Sequence, residues 1–205
     1  MSTSENEQPR EERRISDAQT MRALSHPVRI AIWEALSLGG PMTATQVGER
    51  IGESPTTCSF HLRQLQKYGF VEEAGGGQGR SRPWRITHFG ISFSTSNDDP
   101  ETEVASSALA RLFRERQESR YQTWVETRNT FPAAWREAAG ETEAIMYCTA
   151  EELELLNNEL RALMVPRFQA RVTNPELRPP GAVAVEMNLR SFPIEHPGPD
   201  PEKSG

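Results

Sequence analysis

Residues 43–73 read TATQVGERIGESPTTCSFHLRQLQKYGFVEE, two short helical phrases separated by a tight turn. Thr43 can cap the first phrase, whose Val47 and Ile51 recur on one face. Gly52-Glu53-Ser54 makes the turn. Ser54 followed by Pro55 then starts the second helix, with a hydroxyl cap and a proline at the first helical position, where its missing N–H costs nothing. That helix is expected to run to about Tyr68 and to stop at Gly69. Stepping 100° per residue, Leu62 and Leu65 fall beside Cys58, while Thr56, Phe60, Arg63 and Lys67 fall on the opposite side, with Thr57 and Ser59 on the flanks. The spacing thus predicts a core face of Cys58, Leu62 and Leu65 and an open face of polar side chains.

Working outward, Ser16 begins a helix through DAQTMRAL, which His26-Pro27 interrupts. A further helix follows in VRIAIWEALSLGG, with Val28, Ile32, Ala35 and Leu36 at helical spacing, until Gly39-Gly40-Pro41 ends it. Downstream, FVEEA, GGGQGRSR and PWRIT read as strand, glycine-rich turn and strand. Helices, a short turn, a second helix and a hairpin, in that order, make a winged helix-turn-helix, whose second helix enters the major groove of DNA.

Residues 18–88 resemble the ArsR-type winged-helix transcriptional regulators. The most specific phrases are Leu24-Ser25-His26-Pro27-x-Arg29 and Ser59-x-His61-Leu62-x-x-Leu65. The resemblance implies DNA binding and dimerisation. It does not bring the family's metal sensing with it, because TATQVGERI lacks cysteine and the helix expected at residues 104–131 lacks histidine. Phe60 also departs from the family, which usually has a polar or imidazole side chain there.

The candidate DNA-contacting residues are Thr43, Ser54, Thr56, Thr57, Ser59, Phe60, His61, Arg63, Gln64, Lys67, Arg80 and Arg82. Arg63 can pair its guanidinium fork with guanine O6 and N7, or hold a phosphate. Thr56, Thr57 and Ser59 are short donors for phosphates or base edges. Phe60 can pack on a thymine methyl or fold back on Thr56. His61, at the edge of the core face, is expected to form a hydrogen bond or contact a phosphate, and His26 to mark a helix boundary. Arg80 and Arg82 flank Ser81 at the wing tip, where they can reach phosphates or the minor groove.

Charge is divided unevenly. Residues 15–88 hold eight Lys/Arg against six Asp/Glu, whereas residues 89–205 hold twelve against nineteen, within a net charge of −6. No apolar run approaches the roughly 20 residues of a membrane span, and MSTSENEQPREERR has no hydrophobic segment, so a cytoplasmic protein is expected. Cys58 and Cys148 are too few for a disulfide framework or a cysteine-built structural zinc site. Cys58 and His61 stand three apart, but two ligands leave a zinc site short, and Cys58 belongs to the core face.

Beyond the hairpin, residues 91–103 (ISFSTSNDDPETE) read as a linker. A long helix from Val104 to about Phe131, with Leu109, Leu112, Phe113, Trp124 and Val125, cannot bury its apolar stripe alone and suits dimerisation. EAIMYC (143–148) reads as a strand, Thr149 with Glu152 as a capping box opening a helix to about Pro166, and AVAVEMNL (182–189) as a half-buried strand. Trp124, Trp135, Met146 and Tyr147 are candidates for an apolar pocket holding a small organic effector, the bland alternative being ordinary core.

The expected fold is therefore mainly α with small β. Its parts are a tail at 1–14, a DNA-binding domain at 15–90, a linker at 91–103, a helical dimerisation segment at 104–140, a strand-helix-strand unit at 141–192 and a tail at 193–205. No elbow, zinc-protease or phosphate-loop motif is present, so the chain reads as no enzyme, with no cofactor and no metal. The expected function is a homodimeric regulator, a repressor, on operator DNA. The competing reading is an architectural or protein-interaction module whose acidic C-terminal part docks a partner.

Overall fold

A computed structural model describes residues 12–75 and 82–196. The chain opens with β1 (Arg13–Ile15), followed by α1 (Ala18–Leu24), α2 (Pro27–Gly39), α3 (Ala44–Ile51) and α4 (Pro55–Lys67). Next come β2 (Val71–Glu73), β3 (Trp84–Ile86) and β4 (Ile91–Phe93). Three further helices, α5 (Pro100–Thr127), α6 (Ala133–Ala138) and α7 (Ala150–Thr173), complete the order. Mainly α with small β is the architecture found.

Local chemistry sets the helix starts. Thr43 and Gln46 form a reciprocal capping box on α3. Ser54 accepts from the Thr57 N–H at 3.0 Å, and Pro55 opens α4. For α1 the cap is Asp17, one residue after the expected Ser16; its carboxylate accepts from the Thr20 N–H at 2.8 Å. Gly52 ends α3 at φ +77°, a left-handed conformation that favours glycine.

Between α3 and α4 the backbone closes tightly. The N–H groups of Gly52 and Glu53 both donate to the Gly48 carbonyl, at 2.9 and 3.0 Å. A Cβ on Gly48 would lie 2.6 Å from the Glu53 carbonyl oxygen. That neighbour is backbone, so it cannot swing aside as a side chain would. The crossing of α3 and α4 thus depends on a missing methyl group.

One core joins the helices to the hairpin. Met21, Leu24, Ile30, Ile32, Leu36, Val47, Leu62, Leu65 and Leu109 are essentially sealed from solvent, with Phe70 and Val71 from the strand that follows α4. β2 and β3 pair antiparallel in the register Val71 to Ile86, Glu72 to Arg85 and Glu73 to Trp84. An isolated bridge from Met42 to Trp84 ties the hairpin to the α2–α3 connection. The expected hairpin is present. Its tip at residues 76–81 lies outside the described residues.

Four expectations are corrected. Residues 13–14, read as the end of a tail, join Ile15 in pairing with residues 91–93, read as the start of a linker, as the parallel strands β1 and β4. The long helix begins at Pro100, four residues before Val104, because Asp99 caps it through the Thr102 N–H at 2.9 Å. Its first half packs on α1, burying Ala105, Ser106, Leu109 and Ala110. Residues 143–148 and 182–189 form no strand: they are exposed and pair with no strand among the described residues. The Thr149–Glu152 capping box does open α7, which continues past Pro166 to Thr173.

The Gly48 contact yields a direct test. Gly48→Ala is expected to cost about 1–3 kcal/mol in urea unfolding, the range for overpacking a tight interior. Gly75→Ala, where an added Cβ meets nothing within 4 Å, should leave the midpoint essentially unchanged.

Candidate nucleic-acid interface

α4 is the second helix of the helix-turn-helix, and burial divides it as the wheel predicts. Cys58, Leu62 and Leu65 have no exposed surface, whereas Thr56, Phe60, Arg63 and Lys67 face solvent. Thr57, Ser59 and Gln64 are half-buried along the flanks. Burial, with the Glu53 carboxylate nearby, raises the Cys58 thiol above its ordinary value. The thiol is a packing group.

The short hydroxyls are largely engaged in shaping the helix start. Ser54 Oγ and Thr57 Oγ1 share a hydrogen bond of 2.8 Å, and Ser59 Oγ donates to the Pro55 carbonyl at 2.8 Å. Thr43 is occupied in the α3 capping box. Each keeps acceptor capacity, but each is first a structural group. Lys67 holds its ammonium 5.6 Å from the Tyr68 ring centroid. Phe60 is 58% exposed and sets its edge against the His61 ring, with centroids 5.2 Å apart and planes at 75°. An exposed phenyl ring on the open face offers apolar contact without a hydrogen-bond donor.

His61, at the edge of the core face, falls on the inner side and is only 8% exposed. Its ring lies 4.6 Å from that of His26, which itself caps α2 by accepting from the Val28 N–H at 3.2 Å through Nδ1. No described residue satisfies His61 Nδ1 or the buried Nε of Arg29. Buried to this degree, the His61 ring offers little surface to a phosphate. His26 and Arg29 stand beside His61 behind α4, a placement that a wheel drawn on α4 alone does not show.

A second support comes from β1. Arg13 donates from Nη1 to the Tyr68 carbonyl at 2.5 Å and stands 4.8 Å over the Phe70 ring. It holds the C-terminal end of α4, where Gly69 turns the chain at φ +71°. Being read as tail hid this residue; its three-residue strand has too little periodicity to signal itself.

On the wing, Arg82 donates from Nη1 to Glu73 at 2.7 Å, and Arg85 from Nε to Glu72 at 2.8 Å. The Glu73 hydrogen bond raises the Arg82 pKa. Arg82 must exchange this carboxylate for a phosphate to touch DNA. Arg80 and Ser81 lie outside the described residues.

The other expected sites fare differently. Among the described residues no three His, Cys, Asp or Glu side chains cluster as a metal site. Of the side chains read as candidates for an effector pocket, Tyr147 is 96% exposed and Met146 55% exposed, while Trp124 packs on Phe131 with ring centroids 4.9 Å apart. Among the described residues no helix is long and apolar enough to cross a membrane.

Geometry and comparison then meet. Residues 24–74 match the family model described as "Helix-turn-helix domain", a span that contains both phrases shared with the ArsR-type regulators. Residues 13–93 fold as a winged helix-turn-helix, the DNA-binding fold of transcription regulators. Among solved structures, the chain is similar to a homodimeric winged helix-turn-helix DNA-binding domain, Mb0332 from Mycobacterium bovis, described as a possible ArsR-family transcriptional regulator. The identity is 18%, covering 52% of this chain and 81% of that one, at a TM-score of 0.32. It is also similar to the transcriptional regulator Tm0710 from Thermotoga maritima, with 11% identity over 74% of this chain and 87% of that one, at a TM-score of 0.30. A variant of Lactococcus lactis ZitR shares 17% identity over 65% and 73% of the two chains, at a TM-score of 0.29. No curated protein matches the chain.

The two histidines give a pH prediction. Burial, the neighbouring Arg29 and, for His61, the His26 ring hold both below the ordinary histidine value of 6.5, while Glu53 opposes this weakly. The unfolded chain therefore takes up protons at a higher pH than the folded one, so stability is full above about 6.5 and declines as pH falls toward the folded values. Thermal unfolding should show a lower Tm near pH 5 than near pH 7.5. His61→Leu, which removes one ring and its unsatisfied nitrogen, should flatten this dependence.

Proposed function

We propose that this chain is a sequence-specific DNA-binding transcriptional regulator of the ArsR-like kind, acting as a homodimeric repressor without sensing a metal. The observation that carries this reading is the division of α4. Its core face is locked by Cys58, Leu62 and Leu65, leaving Thr56, Phe60, Arg63 and Lys67 in the open on the second helix of the motif. Arg63 supplies the bidentate donor for a guanine edge and Phe60 an apolar surface for a thymine methyl. Lys67 and the wing arginines hold phosphates, and Thr56, Thr57 and Gln64 contact the groove walls.

A two-fold dimer places two α4 helices on half-sites about 34 Å apart, one turn of DNA, so the operator is an inverted repeat. Bound over a promoter, such a dimer excludes polymerase. The acidic balance of residues 89–205 keeps that part off the duplex and leaves contact to the N-terminal domain.

Fluorescence anisotropy on upstream DNA tests the reading. Arg63→Ala should weaken specific binding by about 1–3 kcal/mol and relax preference at one base pair of each half-site. Replacing Arg80 and Arg82 together with alanine should weaken binding to all sequences and reduce the salt slope by about one to two per wing. Binding that is indifferent to sequence would overturn the regulator in favour of an architectural module.

A further inference from the structure

α4 presents one large apolar side chain to solvent among its polar ones. Phe60 is 58% exposed, on the open face that also carries Thr56, Arg63 and Lys67. An exposed phenylalanine on a helix moves among its χ1 wells, and a contact with DNA would have to freeze it in one of them. Here the ring is already held. Side chains one residue apart on a helix diverge by about 100° and do not face each other. The Phe60 and His61 rings nevertheless meet edge to face, with centroids 5.2 Å apart and planes at 75°. The exposed ring leans back on the buried one.

What it leans on is fixed in turn. His61 is buried, and the ring of His26 lies 4.6 Å from it at an interplanar angle of 38°. His26 precedes Pro27, the first residue of α2, and accepts from the Val28 N–H through Nδ1 at 3.2 Å. A continuous series of contacts therefore runs from the backbone at the start of α2, through two imidazoles, to a phenyl ring in the open.

Seating of α4 does not require that series, since Cys58, Leu62 and Leu65 already form its sealed face. A leucine in place of His61 would bury apolar surface without leaving Nδ1 unsatisfied among the described residues. What the imidazole supplies, and a leucine would not, is a flat ring for another ring to meet.

We propose that His26 and His61 are positioning residues for base recognition: neither touches DNA, and together they hold the Phe60 ring in one orientation to meet the C5 methyl of a thymine. This rests on the DNA-reading function and the Phe60–thymine contact proposed above. It makes the preference for thymine at one base pair of each half-site depend on residues behind α4. The guanine preference is carried by a separate side chain, Arg63.

Deoxyuridine tests this, because it lacks only the C5 methyl of thymine. The probe is the tightest duplex that the full chain selects from a random-sequence pool, with each thymine replaced in turn and affinity read by fluorescence anisotropy. One replacement in a half-site should weaken wild-type binding by about fourfold, the change equivalent to one buried methyl-sized group. Phe60→Ala should be insensitive to it. His61→Leu and His26→Asn should lose the same sensitivity while keeping the guanine preference and the salt slope. Asparagine retains an N-cap acceptor, so His26→Asn removes a ring without uncapping α2. His61→Phe, which keeps a ring against Phe60, should retain the sensitivity.

A pool that yields no preferred sequence, a wild type insensitive at every thymine, or a Phe60→Ala that stays sensitive overturns the reading above and this inference together. With those controls met, a folded His61→Leu or His26→Asn that still discriminates overturns this inference alone. So does a folded His61→Phe that does not discriminate, or a histidine variant that loses the guanine preference as well. Should both histidine variants lose their fold by far-UV circular dichroism, nuclear Overhauser contacts in the free wild type decide. Ring protons of Phe60 and His61 should show them, and their absence overturns the positioning role.

Discussion

The crossing of α3 over α4 rests on the Gly48 position, where an added Cβ would stand 2.6 Å from the Glu53 carbonyl. Two N–H groups converge on the carbonyl of the same residue, so this one glycine both receives the turn and makes room for it. Everything that presents α4 follows from that contact. The angle brings Cys58 and Leu62 against Val47 and the α2 core, and the side opposite them is left to solvent. Packing beneath Gly48, where Cys58 Sγ would stand 3.6 Å from an added Cβ, fixes the roll of α4 about its own axis.

Two further contacts hold the same helix from other directions. The rings of His26 and His61 lie together behind its middle, and Arg13 takes the carbonyl at its end. The histidine contact is built at a cost, because a buried ring nitrogen and a buried guanidinium nitrogen lack partners among the described residues. It links charge state to the seating of α4, and so to the groups that stand out from it.

Much of the N-terminal domain was legible in the sequence because its signals are local. Capping by Thr43 and Ser54 is written within three residues, and the apolar spacing of Cys58, Leu62 and Leu65 sorts one face from the other. What was missed depends on partners far along the chain. The pairing of Arg13 with Ile91 joins two strands of three residues each, too short for any period to show. His61 sits at the margin of the wheel, and only the His26 ring from another helix decides that it is inside. In the C-terminal part, alternation at Val183, Val185, Met187 and Leu189 suggested a half-buried strand, but these side chains are exposed and no strand forms.

Arg13 has one more consequence, for how the molecule loosens. Its strand is three residues long and pairs with β4 alone, though Ile15 at its end is seated in the core; short elements with few paired groups are among the first parts of a fold to open. When it detaches, the Tyr68 carbonyl and the face of Phe70 lose their cation while the core around Leu62 stays closed. The far end of α4 would fray first, ahead of global unfolding, and residues 13–15 would act as a clasp on it.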